Sequence, residues 1–314
     1  MSKALVIIKS MGIGDLSILI SSIHAISKKI ARPVTVLAQK NTRAHAILKH
    51  DPHIEEVIEL DEKEIKSFFS IIRKIKPKRF DQSYIYSDSI RLYLISKLSG
   101  IKENFHYKFF SKKGKNFFKT AKEFTEKTLN TEINPQSKIY CNNNDIVEAK
   151  KKYSMTNNTK NIVCGVSASG PTKRWKINNY VKLFEYLNSK FQCKFFLAGG
   201  LTDEDLINQV IKSSIGKNCI SFCKMNLSEA MPIIAASQYY IGNDTGWGHV
   251  ASGLGLKSLF LFMDSPPLAY GIYSKKINII CPDGLTLEST EHNSRGKDRI
   301  PVDKVLKKAC ELIN

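Results

Sequence analysis

A chain of 314 residues is long enough for two domains with full cores, and 42% apolar and 25% charged residues are typical of a globular protein. Lys and Arg outnumber Asp and Glu by 48 to 29, and the net charge of +19 favours nucleic acid, an anionic membrane face or phosphorylated substrates without choosing among them. The chain has no leader pattern and no apolar run long enough to cross a bilayer, so we expect a cytoplasmic protein.

The first half of the chain alternates between strand and helix patterns. Residues 3–9 are a nearly continuous β-branched run, which is typical of a buried parallel strand, and the apolar residues from 16 to 26 recur at helical spacing. Further elements are predicted as strands at 33–38, 56–60 and 82–86 and as a helix at 62–75. This order predicts a doubly wound α/β domain.

The turn after the first strand contains Gly12, Gly14 and Asp15, and its glycines open the backbone to a substrate. The turn does not complete a dinucleotide fingerprint. Ser17 stands where the third glycine is required, and Gln39 ends the second strand where an acidic residue is required. We therefore expect neither a nicotinamide nor a flavin cofactor.

Residues 102–130 interleave eight lysines with phenylalanine and tyrosine. One interpretation is a basic aromatic segment that meets an anionic amphiphile or a membrane surface. The other is a loop and a helix whose lysines are solvated above ordinary core phenylalanines. The sequence leaves both open.

The Asn- and Lys-rich stretch at 142–160 is typical of a linker, so the predicted domains are 1–155 and 156–314. The second half repeats the α/β pattern. Its predicted strands are 161–166, 193–198, 219–222, 239–241, 256–262 and 277–281. Its predicted helices are 178–187, 203–211, 227–236 and 302–313, the last with freedom to pack back on the first domain.

Polar loops follow three of these strands, at 167–175, 224–227 and 243–246. The loops after parallel strands gather at one edge of a sheet, where ligands bind. Thr245 and Gly246 precede a predicted helix, whose unpaired N–H groups and dipole favour a phosphate. Lys173 could reach that phosphate and offset the charge of a departing diphosphate. The plainer interpretation is that Asp244 or Thr245 only caps the helix.

The seven cysteines are odd in number and scattered, and several lie in apolar, strand-like runs. Only Cys219 and Cys223 are close together, and no second Cys or His pair completes a zinc site. We therefore expect reduced core cysteines and no bound metal.

The most specific motif runs from Gly242 to His249 (Gly-Asn-Asp-Thr-Gly-Trp-Gly-His) and follows Lys224-Met-Asn-Leu227. Together with Lys173 and with the loop Gly12-Ile-Gly-Asp15, it resembles glycosyltransferase family nine, the ADP-heptose:lipopolysaccharide heptosyltransferase family. The resemblance covers nearly the whole chain. It implies the α/β GT-B fold, in which two Rossmann-like domains, one for the acceptor and one for the nucleotide sugar, face each other across a cleft.

The resemblance also implies an inverting, metal-independent glycosyltransferase with two catalytic residues. Asp15 corresponds to the proposed general base, and Lys173 to the lysine that binds the donor diphosphate. The other donor-binding residues that it implies are Gly14, Ser167, Met225, Asp244, Thr245, Gly246 and His249. An acidic residue after the Gly199-Gly200 turn, either Asp203 or Glu204, would bind the ribose. Asp15 also fits a plain role as a helix cap.

The implied partners are a nucleotide sugar, expected to carry ADP, and an anionic lipid-linked or surface glycan acceptor such as lipopolysaccharide. Peripheral contact with the cytoplasmic face of the inner membrane fits this acceptor, and no cofactor beyond the donor is implied. Trp247 and Asp264-Ser-Pro-Pro267 depart from the family pattern near the donor sugar, so the sugar stays open.

Two other functions remain open. A nucleotide-sugar epimerase of the same fold would consume the donor without an acceptor. A basic RNA-binding protein would concentrate lysines and stacking aromatics on one face, whereas here the lysines are spread over both halves without a nucleic-acid motif.

Overall fold

The computed structural model describes residues 2–9, 12–108 and 116–314. The chain divides into two units, Met1–Tyr140 (unit 1) and Cys141–Asn314 (unit 2). The predicted boundary at 155–156 therefore falls inside unit 2. No helix in the described ranges is both long enough and apolar enough to cross a membrane.

Unit 1 is an α/β unit built on one parallel sheet. Its strands are β1 (Ala4–Ile8), β2 (Val34–Gln39), β3 (Ile54–Leu60), β4 (Gln82–Tyr86) and β5 (Glu103–His106). Its helices are α1 (Ile13–Ile30), α2 (Ala44–Ile47), α3 (Glu62–Lys66), α4 (Phe68–Ile75), α5 (Ile90–Leu98) and α6 (Phe117–Leu129). The strand order is β3-β2-β1-β4-β5, so the direction of winding reverses between β1 and β4. Ligands bind at such a reversal in open parallel sheets.

The helix predicted at 62–75 is two helices, because Ser67 interrupts it. The backbone of Ser67 is extended (φ −90°, ψ 112°), and its Oγ accepts a hydrogen bond from the N–H of Ser70 at 3.2 Å. Ser67 therefore ends α3 and caps α4. The apolar period alone did not reveal this break.

The described aromatic residues of the 102–130 segment pack inside unit 1. Phe118 is buried in α6, which lies against α1. The ring of Tyr86 meets Tyr107 and Phe124 edge to face, with centroid distances of 5.9 and 5.3 Å. These contacts support the core interpretation for the described part of the segment. Residues 109–115, which include Phe109 and Phe110, lie outside the described residues.

Unit 2 has a second parallel sheet. Its strands are β6 (Lys160–Gly165), β7 (Cys193–Leu197), β8 (Cys219–Ser221), β9 (Tyr239–Asn243), β10 (Lys257–Leu261) and β11 (Ile277–Ile280). Its helices are α7 (Asn143–Lys152), α8 (Ile177–Lys190), α9 (Glu204–Ile211), α10 (Leu227–Ala236), α11 (Gly246–Gly253), α12 (Pro267–Tyr270) and α13 (Val302–Ile313). The strand order is β11-β10-β9-β6-β7-β8, which places the reversal between β9 and β6.

The prediction of a linker at 142–160 is wrong, because much of this stretch is the helix α7. The side chain of Asn142 caps it by accepting from the N–H of Asn144 at 2.8 Å. The helix packs on α10 but buries only Ala149 in its own span. Because so little of α7 is buried, most of its residues are polar, as they are in a linker. The Nζ of Lys194 also donates to the carbonyl of Tyr153 and so ties the end of α7 to β7.

Candidate functional site

The turn from β9 into α11 presents unpaired backbone donors. Thr245 is the N-cap of α11, with extended backbone (φ −146°, ψ 162°) and no side-chain capping bond. Within the described part of the chain, the N–H groups of Gly246 and Trp247 donate to no protein acceptor. These groups and the positive end of the helix dipole make the turn suitable for an anion.

Asn243 fastens this turn to the loop after β6. Its Oδ1 accepts from the N–H of Trp175 at 3.1 Å and from the hydroxyl of Tyr180 at 2.9 Å. Its Nδ2 donates to the carbonyls of Val166 at 3.1 Å and Ser167 at 3.3 Å. The side chain is fully buried, so these bonds satisfy a polar group that would otherwise be costly. Asn243 lies in the motif from Gly242 to His249, but the sequence predicted no role for it.

Strands β9 and β6 approach each other too closely for side chains at this point. A Cβ built on Gly242 would lie only 2.4 Å from the backbone N of Gly165. Glycine at 242 is therefore a packing requirement. The close approach brings the loops after the two strands together.

Asp244 and His249 form a buried hydrogen-bonded network. Asp244 Oδ1 lies 3.0 Å from Nε2 of His249, and Oδ2 accepts from the hydroxyl of Ser265 at 2.6 Å. Nδ1 of His249 lies 2.9 Å from the hydroxyl of Tyr273. Burial alone would raise the pKa of Asp244. The bonds from His249 and Ser265, with the charges of His249 and Lys173, outweigh burial and lower the pKa. Asp244 is therefore an ionised anchor for the turn.

Lys173 ends a 3₁₀ turn, Pro171–Lys173, in the loop after β6. Its two cationic neighbours are paired: Arg174 with Asp203 at 3.3 Å and Lys176 with Asp298 at 2.9 Å. Lys173 forms no ion pair with any residue that the structure describes, although its charge lowers the pKa of Asp244. It is thus the cation of this loop that is left to bind a ligand.

Asp264 holds the Lys173 turn in place from the loop after β10. Its Oδ2 accepts from the hydroxyl of Thr172 at 2.6 Å, and its Oδ1 from the N–H of Arg295 at 3.1 Å. Burial opposes ionisation, but these bonds and the charge of Lys173 lower the pKa of Asp264. Asp264 and Ser265, for which the sequence predicted no role, thus support Lys173 and Asp244.

The remaining predicted residues of unit 2 are spread along the same edge of the sheet. The buried Ser167 donates to the carbonyl of Ala198 at 3.4 Å, and Met225 follows the edge strand β8. Both oxygens of Asp203 are occupied, one by Arg174 and the other by the N–H of Gly200 at 3.0 Å. Glu204 is more exposed and pairs with Lys224 at 3.3 Å.

A sequence profile of glycosyltransferase family 9 (heptosyltransferase) matches residues 110–297. The chain belongs to this family. Lipopolysaccharide heptosyltransferase 1 of Campylobacter coli is 22% identical over 315 aligned residues, which cover 91% of this chain and 92% of the relative. The predicted family is therefore confirmed.

Solved structures confirm the predicted GT-B fold. A family 9 glycosyltransferase from Veillonella parvula DSM 2008 superimposes with a TM-score of 0.82 at 18% identity and covers 99% of this chain and 97% of its own. ADP-heptose lps heptosyltransferase II of E. coli has a TM-score of 0.77 at 20% identity, with 99% and 98% covered. At these identities the likeness establishes the fold alone.

In unit 1, the loop that resembles the N-terminal loop of family 9 lies at the reversal of the sheet. Gly12 is the N-cap of α1, and Gly14 and Asp15 lie in its first turn. A Cβ built on Gly12 would lie 3.7 Å from Oδ2 of Asp15, so the carboxylate turns back toward the start of the helix. The helix dipole stabilises an ionised carboxylate there.

The cysteines are free and form no disulfide in the described residues. Those same residues contain no cluster of three or more His, Cys, Asp or Glu that could hold a metal ion. Burial raises the pKa of the thiols of Cys193 and Cys219 to about 12, so both are neutral at physiological pH.

Proposed function

We propose that this family 9 enzyme transfers a sugar, heptose or a related one, from an ADP-linked donor to lipopolysaccharide or another surface glycan. We propose that transfer inverts the anomeric configuration and needs no metal. One observation carries this proposal. The N–H groups at the start of α11 and the ammonium of Lys173, which have no partner among the described residues, lie in the same loop cluster. Such a cluster suits a diphosphate.

Donor binding divides between backbone and side chains. The N–H groups of Gly246 and Trp247 bind the phosphate oxygens, and Lys173 supplies the positive charge. Asp244 does not bind phosphate, because His249 and Ser265 form hydrogen bonds with its two carboxylate oxygens. It keeps the turn rigid. Glu204 is the better candidate for the ribose hydroxyls, since both oxygens of Asp203 are occupied, whereas Glu204 is more exposed and pairs with Lys224 through Oε1.

Asp15 acts as the general base in this proposal. It accepts the proton of the acceptor hydroxyl while that oxygen forms a bond to the anomeric carbon. The bond between that carbon and the diphosphate oxygen breaks from the opposite face, and ADP leaves with the electron pair. Lys173 and the α11 amides stabilise the charge that grows on the diphosphate. The solvated lysines of the segment 102–130 contact the anionic acceptor, while its described aromatic rings stay packed in unit 1. Through these lysines the enzyme associates peripherally with the inner membrane.

The donor site can be tested by titrating ADP-heptose and other nucleotide sugars into the wild-type enzyme and into Lys173→Ala. A saturating donor at about 100 times its dissociation constant should stabilise the wild type by about 2.7 kcal/mol. Loss of a charge-assisted contact of about 1.5–3 kcal/mol should weaken binding by roughly 10- to 100-fold. Lys176→Ala is the matched control, since Lys176 already pairs with Asp298. Equal effects of the two substitutions would refute the assignment.

The base is tested separately with Asp15→Asn, which keeps the shape of the side chain. We expect turnover to fall by at least about 100-fold while donor affinity stays within twofold. Loss of donor binding together with turnover would contradict the role of Asp15. Consumption of the nucleotide sugar without any acceptor would instead favour the epimerase, and the anomeric configuration of the product reports inversion.

A further inference from the structure

Unit 1 contains a cavity of about 570 Å³ along the second half of α1, from Ser21 to Lys29, after the first turn that holds Asp15. Lys28, in the last turn of α1, lines this cavity. At 1.5 Å per residue, the thirteen residues from Asp15 to Lys28 span roughly 20 Å. Other residues of α1 also line it, namely Ser21, His24, Ala25 and Lys29, and the rest of the lining comes from His53 and from the segment 131–140. The volume lies within the range of small-molecule sites, which is about 300–1,000 Å³.

The lining of the cavity has more positively charged than negatively charged side chains. Lys28, Lys29 and Lys138 line it, and in the described ranges none of the three forms an ion pair, whereas Glu132 is the one acidic residue of its lining. Lysines in the last turn of a helix can merely complement its dipole. Lys138 lies outside that helix, with its Nζ 4.6 Å above the ring of Tyr140. The charges therefore converge from separate segments.

Two histidines form a fixed wall of the cavity. The buried His24 is held by Asp51, with 2.7 Å between Nε2 and Oδ2. The ring of His53 lies 4.5 Å from that of His24, and its Nδ1 lies 3.1 Å from the hydroxyl of Ser27. These contacts hold both rings in place.

The pKa of His53 depends on the charged groups around its ring. Burial lowers its pKa most, and the charges of His24, Lys28 and Lys138 lower it further, whereas Asp51 raises it. The charges of Lys28 and Lys138 therefore reach the ring, although the charge of Asp51 opposes them. An anion held between them would reverse their effect on His53.

We infer that this cavity binds a small phosphorylated ligand, whose phosphate contacts Lys28, Lys29 and Lys138. Asn134 and Gln136 also line the cavity, and their side-chain amides can bind hydroxyl groups of a sugar or polyol that carries the phosphate. A sugar phosphate and the headgroup of an anionic lipid share this chemistry. All of the lining belongs to unit 1, whereas the proposed donor residues belong to unit 2, and the inference does not depend on the proposed transfer reaction.

The test measures binding of inorganic phosphate and glucose 6-phosphate to the full-length protein labelled with ¹⁵N-histidine. We expect saturable binding that raises the pKa of His53, with the resonance assigned from His53→Gln. The double variant Lys28→Ala/Lys138→Ala should weaken binding at least tenfold and leave donor binding unchanged. The control is Lys97→Ala, which removes a lysine from the last turn of α5 in the same unit.

A parallel experiment uses vesicles of phosphatidylglycerol in phosphatidylcholine. Binding of vesicles but not of the soluble phosphates, with the same dependence on Lys28 and Lys138, would identify the ligand as a lipid headgroup. Absence of saturable binding in both experiments would overturn the inference. An unshifted His53 pKa at saturation, or an equal effect of Lys97→Ala, would overturn it as well.

Discussion

Asn243→Ala tests whether one buried amide holds the donor loops together. The substitution removes four hydrogen bonds, two accepted by Oδ1 and two donated by Nδ2. At a net value of about 1 kcal/mol for each bond, the free energy of unfolding of unit 2 should fall by about 4 kcal/mol. Donor affinity should fall too, because the loop after β6 that carries Lys173 loses its attachment to the turn before α11.

Asn161→Ala is the matched control. Asn161 is also buried in unit 2, at the start of β6, but its side chain makes a single described bond, from Nδ2 to the carbonyl of Thr159 at 3.1 Å. Its Oδ1 has no partner among the described residues. We expect a loss of about 1 kcal/mol and unchanged donor affinity.

Tryptophan fluorescence suits this measurement, because both tryptophans, Trp175 and Trp247, lie in unit 2. Urea titrations give the two free energies of unfolding from the midpoint and slope of each transition. In a thermal scan, the expected difference of about 3 kcal/mol corresponds to roughly 6–12 °C for a unit of this size. Equal destabilisation by Asn243→Ala and Asn161→Ala would refute the role of the network.

Three further predictions concern other parts of the chain. Ser265→Ala removes a hydrogen bond to ionised Asp244 and should lower the free energy of unfolding by about 1.5–3 kcal/mol near neutral pH. Because that bond lowers the pKa of the carboxylate, the full loss should be present above pH 3.8 and should shrink as the pH falls through the folded-state pKa of Asp244. Urea titrations at several pH values measure this dependence. Gly242→Ala should cost about 3 kcal/mol or more, since its Cβ would meet the backbone of β6, whereas Gly170→Ala, with open space around it, should cost under about 1 kcal/mol in the same titrations. Phe118→Ala should cost about 3–5 kcal/mol by circular dichroism, and a change below about 1 kcal/mol would contradict its burial.

Local patterns in the sequence predicted most of the architecture. Buried parallel strands such as β4 are β-branched or aromatic runs, and the predicted range 82–86 matches the strand in the structure. Polar residues after strands also predicted where the ligand loops lie, because parallel strands carry those loops to one edge. The α7 helix escaped prediction because a helix that buries one alanine has no apolar period to detect.

The contacts that position the site could not be predicted in the same way. Asn243 bonds to Trp175, and Asp264 to Thr172, across 68 and 92 residues of sequence. Such pairs depend on the tertiary arrangement of loops and leave no local period. The sequence did mark this segment in one way, because Asp264 and Ser265 do not match the family pattern.

That departure has a physical explanation in the folded chain. Ser265 binds Asp244 at 2.6 Å, and Asp264 binds Thr172 at 2.6 Å, one residue before Lys173. The same short segment therefore supports both sides of the proposed phosphate site. A substitution at 264 or 265 must be matched by changes in one of the two loops that it holds, since an unpaired buried hydroxyl or carboxylate is costly. The segment should therefore vary together with Thr172 and Asp244, even though those residues lie in separate loops of the sequence.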